Sequence, residues 1–461
     1  MLDFQPLTYE KLPALKPFFE RCSYNISEYT LISKIMWKSY FNADFAVFGD
    51  CLIYKNNIFG KAVFSYPICD ETMEDEALKQ IETYCVENYI PLIYNNIPQE
   101  KVSKLAERYR FMRLSEDRNY EEYLYDGNAF RAFSGRKYAG QRNHINKFNA
   151  LYPNAVFKRF TSADKPRLDV FFKEFLRQGA DEEKTRETRF AKKLVRSLPL
   201  EEYLTGGYEI DGKIVSFTLG SRMGKTLFIH IEKGLRDYEG VYTATAYAFA
   251  KANGDAEFIN REDDSGAKGL RISKTQYHPL RTVRKFWVIV DNEWQKIRRF
   301  PSIRTERLTV DAIHKTDAKD YFDLCTDDDR NVYWGYDYKN DLEGELYPDY
   351  FYDVQKRDLK NKICFCFAVR LDGKMIGEGV LYRFTCTGQA EAGIRIARAY
   401  AGNGYGEEAF AALTEWALYG LGLDVVVSKC YHENAASYRM LSRVMRSTGS
   451  DETFYWFERR V

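Results

Sequence analysis

The sequence predicts an α/β or α+β protein. Helical and strand-like periodicities interleave in every segment of the 461 residues instead of separating into blocks. Hydrophobic residues make up 45% and charged residues 29%, the balance of a chain that buries a core. A strand-like run also enters a glycine-rich turn near residue 404, and a helical run leaves it. At roughly 150 residues per domain, the length allows about three domains.

The elements follow in order along the chain. Helical periodicity covers 76–86 and 102–109, and a short strand covers 45–48. Residues 128–179 read as helix-rich. A hairpin follows at 206–210, 213–219 and 226–231, with Asp211-Gly212 as a two-residue turn. A helix covers 241–252, and 286–290 reads as a closing strand. Arg298-Arg299-Phe300-Pro301-Ser302 is the best linker, with an opening strand at 305–310 beyond it. A weaker boundary lies near Tyr125-Asp126. These divide the chain into 1–125, 126–298 and 301–461. No short-period repeat suggests a solenoid.

Lys+Arg is 68 against 67 Asp+Glu, a net charge of +1, which excludes a uniformly basic coat, and no DNA partner is expected. The charge is uneven, with net +6 over residues 1–300 and net −5 over 301–461. Two acid-free stretches contribute. Residues 127–163 hold Arg131, Arg136, Lys137, Arg142, Lys147, Lys158 and Arg159, and residues 267–290 hold Lys268, Arg271, Lys274, Arg281, Arg284 and Lys285. Such runs are either a solvated face or an anion site for a phosphate, a tRNA end or a lipid head group. No apolar run reaches the roughly 18 residues needed to span a bilayer, so no integral membrane segment is expected. The start of the chain lacks a secretory signal. Nine Cys form no Cys-x-x-Cys pair, and five His are scattered, so no metal site is expected. Cys364 and Cys366 share one face of a strand-like run, which suits reduced core thiols and a cytoplasmic location.

The most informative motif is Ala401-Gly402-Asn403-Gly404-Tyr405-Gly406, between the strand-like run at 391–396 and a helix with Phe410, Leu413 and Ala417 on one face. Alternate glycines let the backbone approach a bulky anion, and the N–H groups of a helix start point at it. That is a pyrophosphate cradle. Its spacing fits neither Gly-x-Gly-x-x-Gly nor a Walker loop. The segment resembles motif A of the GNAT acetyltransferases, in the ribosomal-protein N-acetyltransferase (RimJ/RimL-like) branch. Ala401 stands where that family usually has Arg or Gln. Arg304-Thr305-Glu306-Arg307-Leu308 resembles the family's opening strand, and Val332-Tyr333-Trp334 its acceptor-side helices. Residues 423–428 resemble the next core strand, and Asn434-Ala435-Ala436-Ser437-Tyr438 the Asn-x-x-Ser motif. The resemblance implies a mixed, mostly antiparallel sheet flanked by helices and acetyl-CoA as cosubstrate. It further implies that Ile394, Arg395, Ile396, the loop Ala401, Gly402, Asn403, Gly404, Tyr405 and Gly406, and Asn434 and Ser437 bind it.

Acetyl transfer to an amine needs a base, an oxyanion donor and an acid. The resemblance implies the backbone of 394–396 as the donor. Glu391 is the base candidate, Glu378 the runner-up and Tyr438 the acid candidate. The alternatives are a solvated strand end for Glu391 and a packing residue for Tyr438. An acidic segment (Asp327, Asp328, Asp329, Asp337, Asp341, Glu343, Glu345) interleaves with Tyr333, Trp334, Tyr336 and Tyr338. It either grips a small-molecule or peptide amine, with Trp334, Tyr336 and Asp337 foremost, or is a solvated loop.

In the first half, Arg142, Asn143 and Lys147 lie on one helical run. His230-Ile231-Glu232-Lys233, Asn260-Arg261-Glu262, and Arg271 with Lys274 follow. Such groups at strand ends either pair structurally or line a polar cleft. These strings resemble the C-terminal domain of phosphatidylglycerol lysyltransferases, built from two GNAT-like lobes and related to the Fem aminoacyl-tRNA-dependent peptidyltransferases. The resemblance covers about residues 1–295. It implies an acyl or aminoacyl transfer role for these residues, with aminoacyl-tRNA as a possible donor. Gly220-Ser221-Arg222-Met223-Gly224-Lys225-Thr226 is one residue short of a Walker loop and reads as a hairpin. Together the resemblances imply three GNAT-like acyl-CoA N-acyltransferase lobes: an aminoacyltransferase-like pair fused to an N-acetyltransferase. The rival is a non-catalytic tRNA- or charged-ligand-binding module with a degenerate, coenzyme A-binding last lobe.

Overall fold

A computed structural model describes residues 2–179, 182–340, 342 and 344–461. These residues build three sheets, mixed but mostly antiparallel and flanked by helices, so the class is the predicted one. The chain divides into two compact units, one mostly within residues 1–289 and one mostly within 290–461. Among the described residues no helix is long and apolar enough to cross a membrane.

The first unit carries two sheets. One runs in the order Gln5–Pro6, Asp44–Phe48, Cys51–Ile58, Lys61–Phe64, Leu92–Pro98, Lys285–Val290 and Met112–Glu116. The late strand Lys285–Val290 therefore returns to the sheet that opens the chain. The other is centred on the hairpin Ser216–Met223 and Thr226–Gly234. Thr226–Gly234 is apolar on both faces, with Leu227, Phe228, Ile229 and Ile231 buried. The helix Val241–Ala252 packs Ala246, Phe249 and Ala250 into the same core. Glu122–Asp126, which spans the weaker boundary read from the sequence, is a strand of this second sheet. Asp211 and Gly212 both have positive φ, as a two-residue hairpin turn requires. The near-Walker segment is a hairpin closed by Gly224-Lys225.

The second unit carries an eight-stranded sheet. Its order is Ile303–Arg304, Leu308–Ala312, Cys364–Leu371, Lys374–Tyr382, Gln389–Ile396, Val425–Tyr431, Phe454–Arg460 and Arg446–Ser450. The opening strand expected over 305–310 is broken, because Thr305 N–H donates to the Leu308 carbonyl (2.9 Å) and turns the chain into a small hairpin. The linker read at 298–302 is pinned by Phe300, whose ring packs on Phe365 (5.2 Å) and Phe367 (4.9 Å). One face of the sheet is covered by the helix Tyr405–Glu415 through Phe410 and Leu413. The other face is covered by the helices Ala318–Thr326 and Tyr350–Lys360. Cys364 Sγ and Cys366 Sγ lie 3.4 Å apart, on one face as their spacing requires.

Candidate functional site

In the second unit the strand Gln389–Ile396 pairs along its length with Lys374–Tyr382. On its other side it pairs in parallel with Val425–Tyr431 only as far as Glu391 opposite Val427. Beyond that point the two strands part. The remaining bond there is from Ser428 Oγ to the Ala392 carbonyl (2.8 Å). Among the described residues 393–396 thus present an edge with no ladder partner on this side, and a Cβ added at Gly393 would meet the Trp334 ring at 3.6 Å.

The glycine loop follows this edge. Gly402 (φ +83°) and Gly404 (φ +78°) are left-handed, and Gly404 caps the helix Tyr405–Glu415. A Cβ added at Gly402 would meet nothing within 4 Å, so the loop is open above that glycine. Ala401, Gly402, Asn403 and Gly404 are exposed. Arg307 braces the loop from beside it. It donates to the Asn403 carbonyl (3.0 Å) and to Glu408 Oε2 (2.6 Å), with its guanidinium over the Tyr405 ring (4.7 Å).

The two candidate bases sit in different surroundings. Glu378 is buried. It accepts from Tyr321 OH (2.6 Å) and from Arg395 Nε (2.9 Å). Arg395 also donates to Asn331 Oδ1 (2.5 Å) and Cys325 Sγ (3.0 Å) and lies under the Trp334 ring (4.4 Å). Glu378 is the centre of a closed ion pair, and the Arg395 side chain serves it. Glu391 is 5% exposed at the point where the strands part. It accepts from Tyr382 OH (2.5 Å), with Arg383 Nη1 at 3.3 Å and Lys429 Nζ at 3.4 Å. Tyr438 is 38% exposed on the helix Ala435–Val444, with its ring on Tyr455 (4.7 Å). Asn434 Oδ1 caps that helix by accepting from Ser437 N–H (3.1 Å). Ile394 and Ile396 pack on the core. Tyr336 and Asp337 are exposed, and Asp337 Oδ1 accepts from Lys339 N–H. Asp341 and Glu343 lie outside the described residues. Val332-Tyr333-Trp334 falls just past the four-residue helix Asp328–Asn331, which Asp327 caps.

In the first unit the structure joins some of the predicted residues and separates others. His230 and Glu262 meet each other, while Asn260 meets Glu122 and His230 meets Ser221, neither of which the sequence singles out as a site residue. Glu122 is fully buried on its strand. It accepts from Ser27 N–H (2.9 Å), Ser27 Oγ (2.7 Å), Asn260 Nδ2 (2.7 Å) and Lys285 Nζ (3.1 Å). Lys285 also reaches Glu28 Oε1 (2.7 Å) and Asp263 Oδ2 (3.2 Å). Burial raises the Glu122 carboxyl to about 8, against the pull of Lys285. Burial opposes the Lys285 charge, but the carboxylates around it hold its ammonium well above the usual lysine range. His230 Nδ1 contacts Glu262 Oε1 (2.8 Å), and its Nε2 contacts Ser221 Oγ (2.7 Å). The signal for Glu122 was in the sequence, as a carboxylate heading the aromatic run Tyr123-Leu124-Tyr125.

The remaining predicted residues make other bonds. Arg261 pairs with Glu232 (2.7 Å) and stacks on Tyr277 (4.4 Å). Lys233 pairs with Glu187 (2.7 Å). Arg271 holds the buried Asp264 through Nε (2.9 Å) and Nη2 (2.8 Å). Lys274 donates to the Arg261 carbonyl (2.6 Å) and the Asp263 carbonyl. Arg142 donates to the Phe133 and Gly135 carbonyls. Asn143 is exposed, and the exposed Lys147 pairs with Glu239 (2.7 Å). The cations of the two acid-free stretches are therefore largely tied to internal acceptors.

Two family models match the chain. "Phosphatidylglycerol lysyltransferase, C-terminal" matches residues 21–289, and "Acetyltransferase (GNAT) domain" matches residues 307–444. Among solved structures, a conserved protein of unknown function from Bacteroides thetaiotaomicron VPI-5482 is 22% identical, with a TM-score of 0.59. The match covers 63% of this chain and 100% of that one, and it bears on fold alone. The C-terminal domain of a putative lysylphosphatidylglycerol synthetase from Agrobacterium fabrum is 16% identical, with a TM-score of 0.47 over 61% of this chain and 92% of that one. Mycobacterium smegmatis RimJ, solved with CoA-disulfide, is 15% identical, with a TM-score of 0.30 over 35% of this chain and 87% of that one. No curated protein matches the chain.

Proposed function

Because the chain belongs to the phosphatidylglycerol lysyltransferase C-terminal family, matched over residues 21–289, we propose that it is an acyltransferase with two working regions. The last lobe is an acetyl-CoA-dependent N-acetyltransferase, and the first unit handles an aminoacyl or related acyl group. The observation that carries the reading of the last lobe is the unpaired edge beyond Glu391, leading straight into two left-handed glycines at a helix start. When bound, acetyl-CoA supplies an activated acetyl thioester.

The residues present fit that cosubstrate. N–H groups at the start of the helix Tyr405–Glu415 would receive the diphosphate, and Gly402 leaves room above the loop. The free edge of 393–396 would orient the pantetheine arm and polarise the thioester carbonyl. Glu391 takes the proton of the amine, directly or through one water, and Tyr438 protonates the departing thiolate. Trp334, Tyr336 and Asp337 face the amine acceptor, a small molecule or peptide. Nine cysteines without a disulfide support the cytoplasm as the place of work.

Calorimetry with acetyl-CoA on the full chain tests this. Wild type should bind, and Gly404→Val, which puts a β-branched side chain at a φ of +78°, should bind at least tenfold more weakly. Wild type that takes up no coenzyme A sinks the reading. The rival, a non-catalytic lobe, is favoured by one feature: the Ala401 side chain can make no polar contact where the resembled family has Arg or Gln. It predicts binding without acetyl transfer to any amine in a mass-spectrometric screen.

A further inference from the structure

The hairpin that mimics a Walker loop carries a different constellation. Ser221 stands on Ser216–Met223, three residues before the turn, and His230 stands on the partner strand Thr226–Gly234. The register between the strands slips at this point. Leu219 opposes Ile231 and Gly220 opposes Ile229, so His230 is the extra residue of a β-bulge. Bulges re-aim side chains and are common beside active sites. This one aims the imidazole diagonally at Ser221, with Oγ to Nε2 at 2.7 Å. Gly220 makes the bulge possible, since a Cβ there would lie 2.4 Å from the Phe228 carbonyl oxygen.

The other ring nitrogen is held as firmly. Nδ1 contacts Glu262 Oε1 at 2.8 Å. Glu262 sits in the left-handed region (φ +57°), where a non-glycine residue is strained, and its N–H donates to Asn260 Oδ1 (2.7 Å). Asn260 is itself anchored on Glu122 (2.7 Å). The His230 side chain is 1% exposed and its ring lies parallel to Phe228. Ser221 is half-buried, in contrast to the buried His230 that it contacts. The other polar contact of Nε2 is Thr30 Oγ1 at 3.5 Å.

We propose that Ser221, His230 and Glu262 form a nucleophile, general base and positioning carboxylate that take an acyl group from an activated carboxylic ester. Ser221 Oγ attacks the ester carbonyl carbon while His230 Nε2 accepts the hydroxyl proton. The bond from carbonyl carbon to the leaving oxygen breaks, and His230 returns the proton to that oxygen. The products are an acyl-Ser221 ester and a free alcohol. An amine or water then attacks the acyl-serine carbonyl, the bond from that carbon to Ser221 Oγ breaks to release an amide or a carboxylic acid, and His230 passes the nucleophile's proton to Oγ. Burial depresses the imidazole to about 3, so the ring rests neutral. Burial raises the Glu262 carboxyl, the charge of Lys274 pulls it down, and the charges of Asp263, Glu28 and Glu187 push it up further. This deepens the acyl-transfer reading of the first unit and rests on it only for the identity of the donor.

The test uses p-nitrophenyl acetate on the full-length protein, without coenzyme A. Wild type should release p-nitrophenol in a burst, and peptide mapping should find the acetyl group on Ser221. Ser221→Ala should lose that label, and Ser221→Cys should carry it as a thioester. His230→Gln should slow acylation roughly 100- to 10,000-fold. Acylation by wild type should rise with pH as the His230–Glu262 pair loses a proton. That rise should vanish in Glu262→Gln and persist in Glu262→Asp, a readout that a merely structural carboxylate would not move. A wild type that takes no acetyl group on Ser221, or a burst unchanged in Ser221→Ala, overturns the proposal. Acyl transfer from an aminoacyl-tRNA that runs at the wild-type rate in Ser221→Ala would overturn the covalent route alone and leave the acyl-transfer reading standing.

Discussion

Glu391 and Glu378 are both buried carboxylates within reach of an arginine, and their partners separate their roles. Glu378 is closed off by Tyr321 and Arg395, so Glu378→Gln removes one partner of a buried pair. It should cost about 3–5 kcal/mol of stability, read as a shifted urea midpoint. Glu391 stands where the strands part, and Glu391→Gln should lower kcat roughly 100- to 10,000-fold while coenzyme A affinity holds. A variant within about threefold of wild type, well short of that general-base range, would hand the proton to bulk water. Asp264 offers a pH test. Burial pushes its carboxyl up, but Arg271, Tyr123 OH (2.6 Å) and the Gly266 N–H outweigh that and hold it at about 2. Its folded value lies below the ordinary aspartate value of roughly 3.9. Its stabilisation is thus complete above that value and is lost as pH falls toward 2. Asp264→Asn should melt earlier at neutral pH, and the gap to wild type should close near pH 2.

At the scale of elements, the hairpin of Ser216–Met223 and Thr226–Gly234 sets a limit on what periodicity reveals. Its two apolar strands and the hairpin between them are legible, but the sequence spreads the turn over 220–226 where the structure closes it with Gly224-Lys225, and the bulge at His230 is not legible at all. Thr226–Gly234 is buried on both faces, so it has no alternation to mark a one-residue bulge, which changes only which side chains meet across the pair. Hence His230 was visible as a polar residue in an apolar strand, while its partner Ser221 was hidden inside a segment that resembles a phosphate loop. Thr305 is a comparable case, where a side-chain and backbone turn breaks a run that alternation alone reads as one strand. The glycine loop was legible because three alternate glycines between a strand and a helix have few structural explanations. Gly220→Ala tests the bulge directly. Its Cβ would press on backbone that cannot swing aside, so the unit should lose about 1–3 kcal/mol in chemical denaturation. Unchanged stability would mean that the two strands pair in a different register.

Across the whole molecule, net charge suggests a basic first part and an acidic last part, yet most cations of the two acid-free stretches already have partners. Lys274 serves two backbone carbonyls, Arg271 serves Asp264 and Arg142 serves two carbonyls. Sequence counts the charges but cannot see that the Asp264 carboxylate or the Gly135 carbonyl will stand beside them, because those neighbours are brought in by the chain's local turns, seven residues away, and one of them is backbone. A polyanion such as a tRNA end would therefore draw on exposed cations such as Arg136, Lys268 and Arg281 and on cations that can leave their partners cheaply. Lys147 is the clearest example, since its pair with Glu239 is more than half exposed on both sides and is worth little. Every cation that neutralises a phosphate steepens the slope of log affinity against log salt by about 0.7 to 0.9. Lys147→Gln should accordingly weaken tRNA retention at low salt and make that slope shallower by about the same amount. Lys274→Gln should instead lower the melting temperature and leave the slope alone. A filter-binding titration in which wild type retains no tRNA at low salt would remove the polyanion from the first unit's partners and leave its cations as internal fasteners.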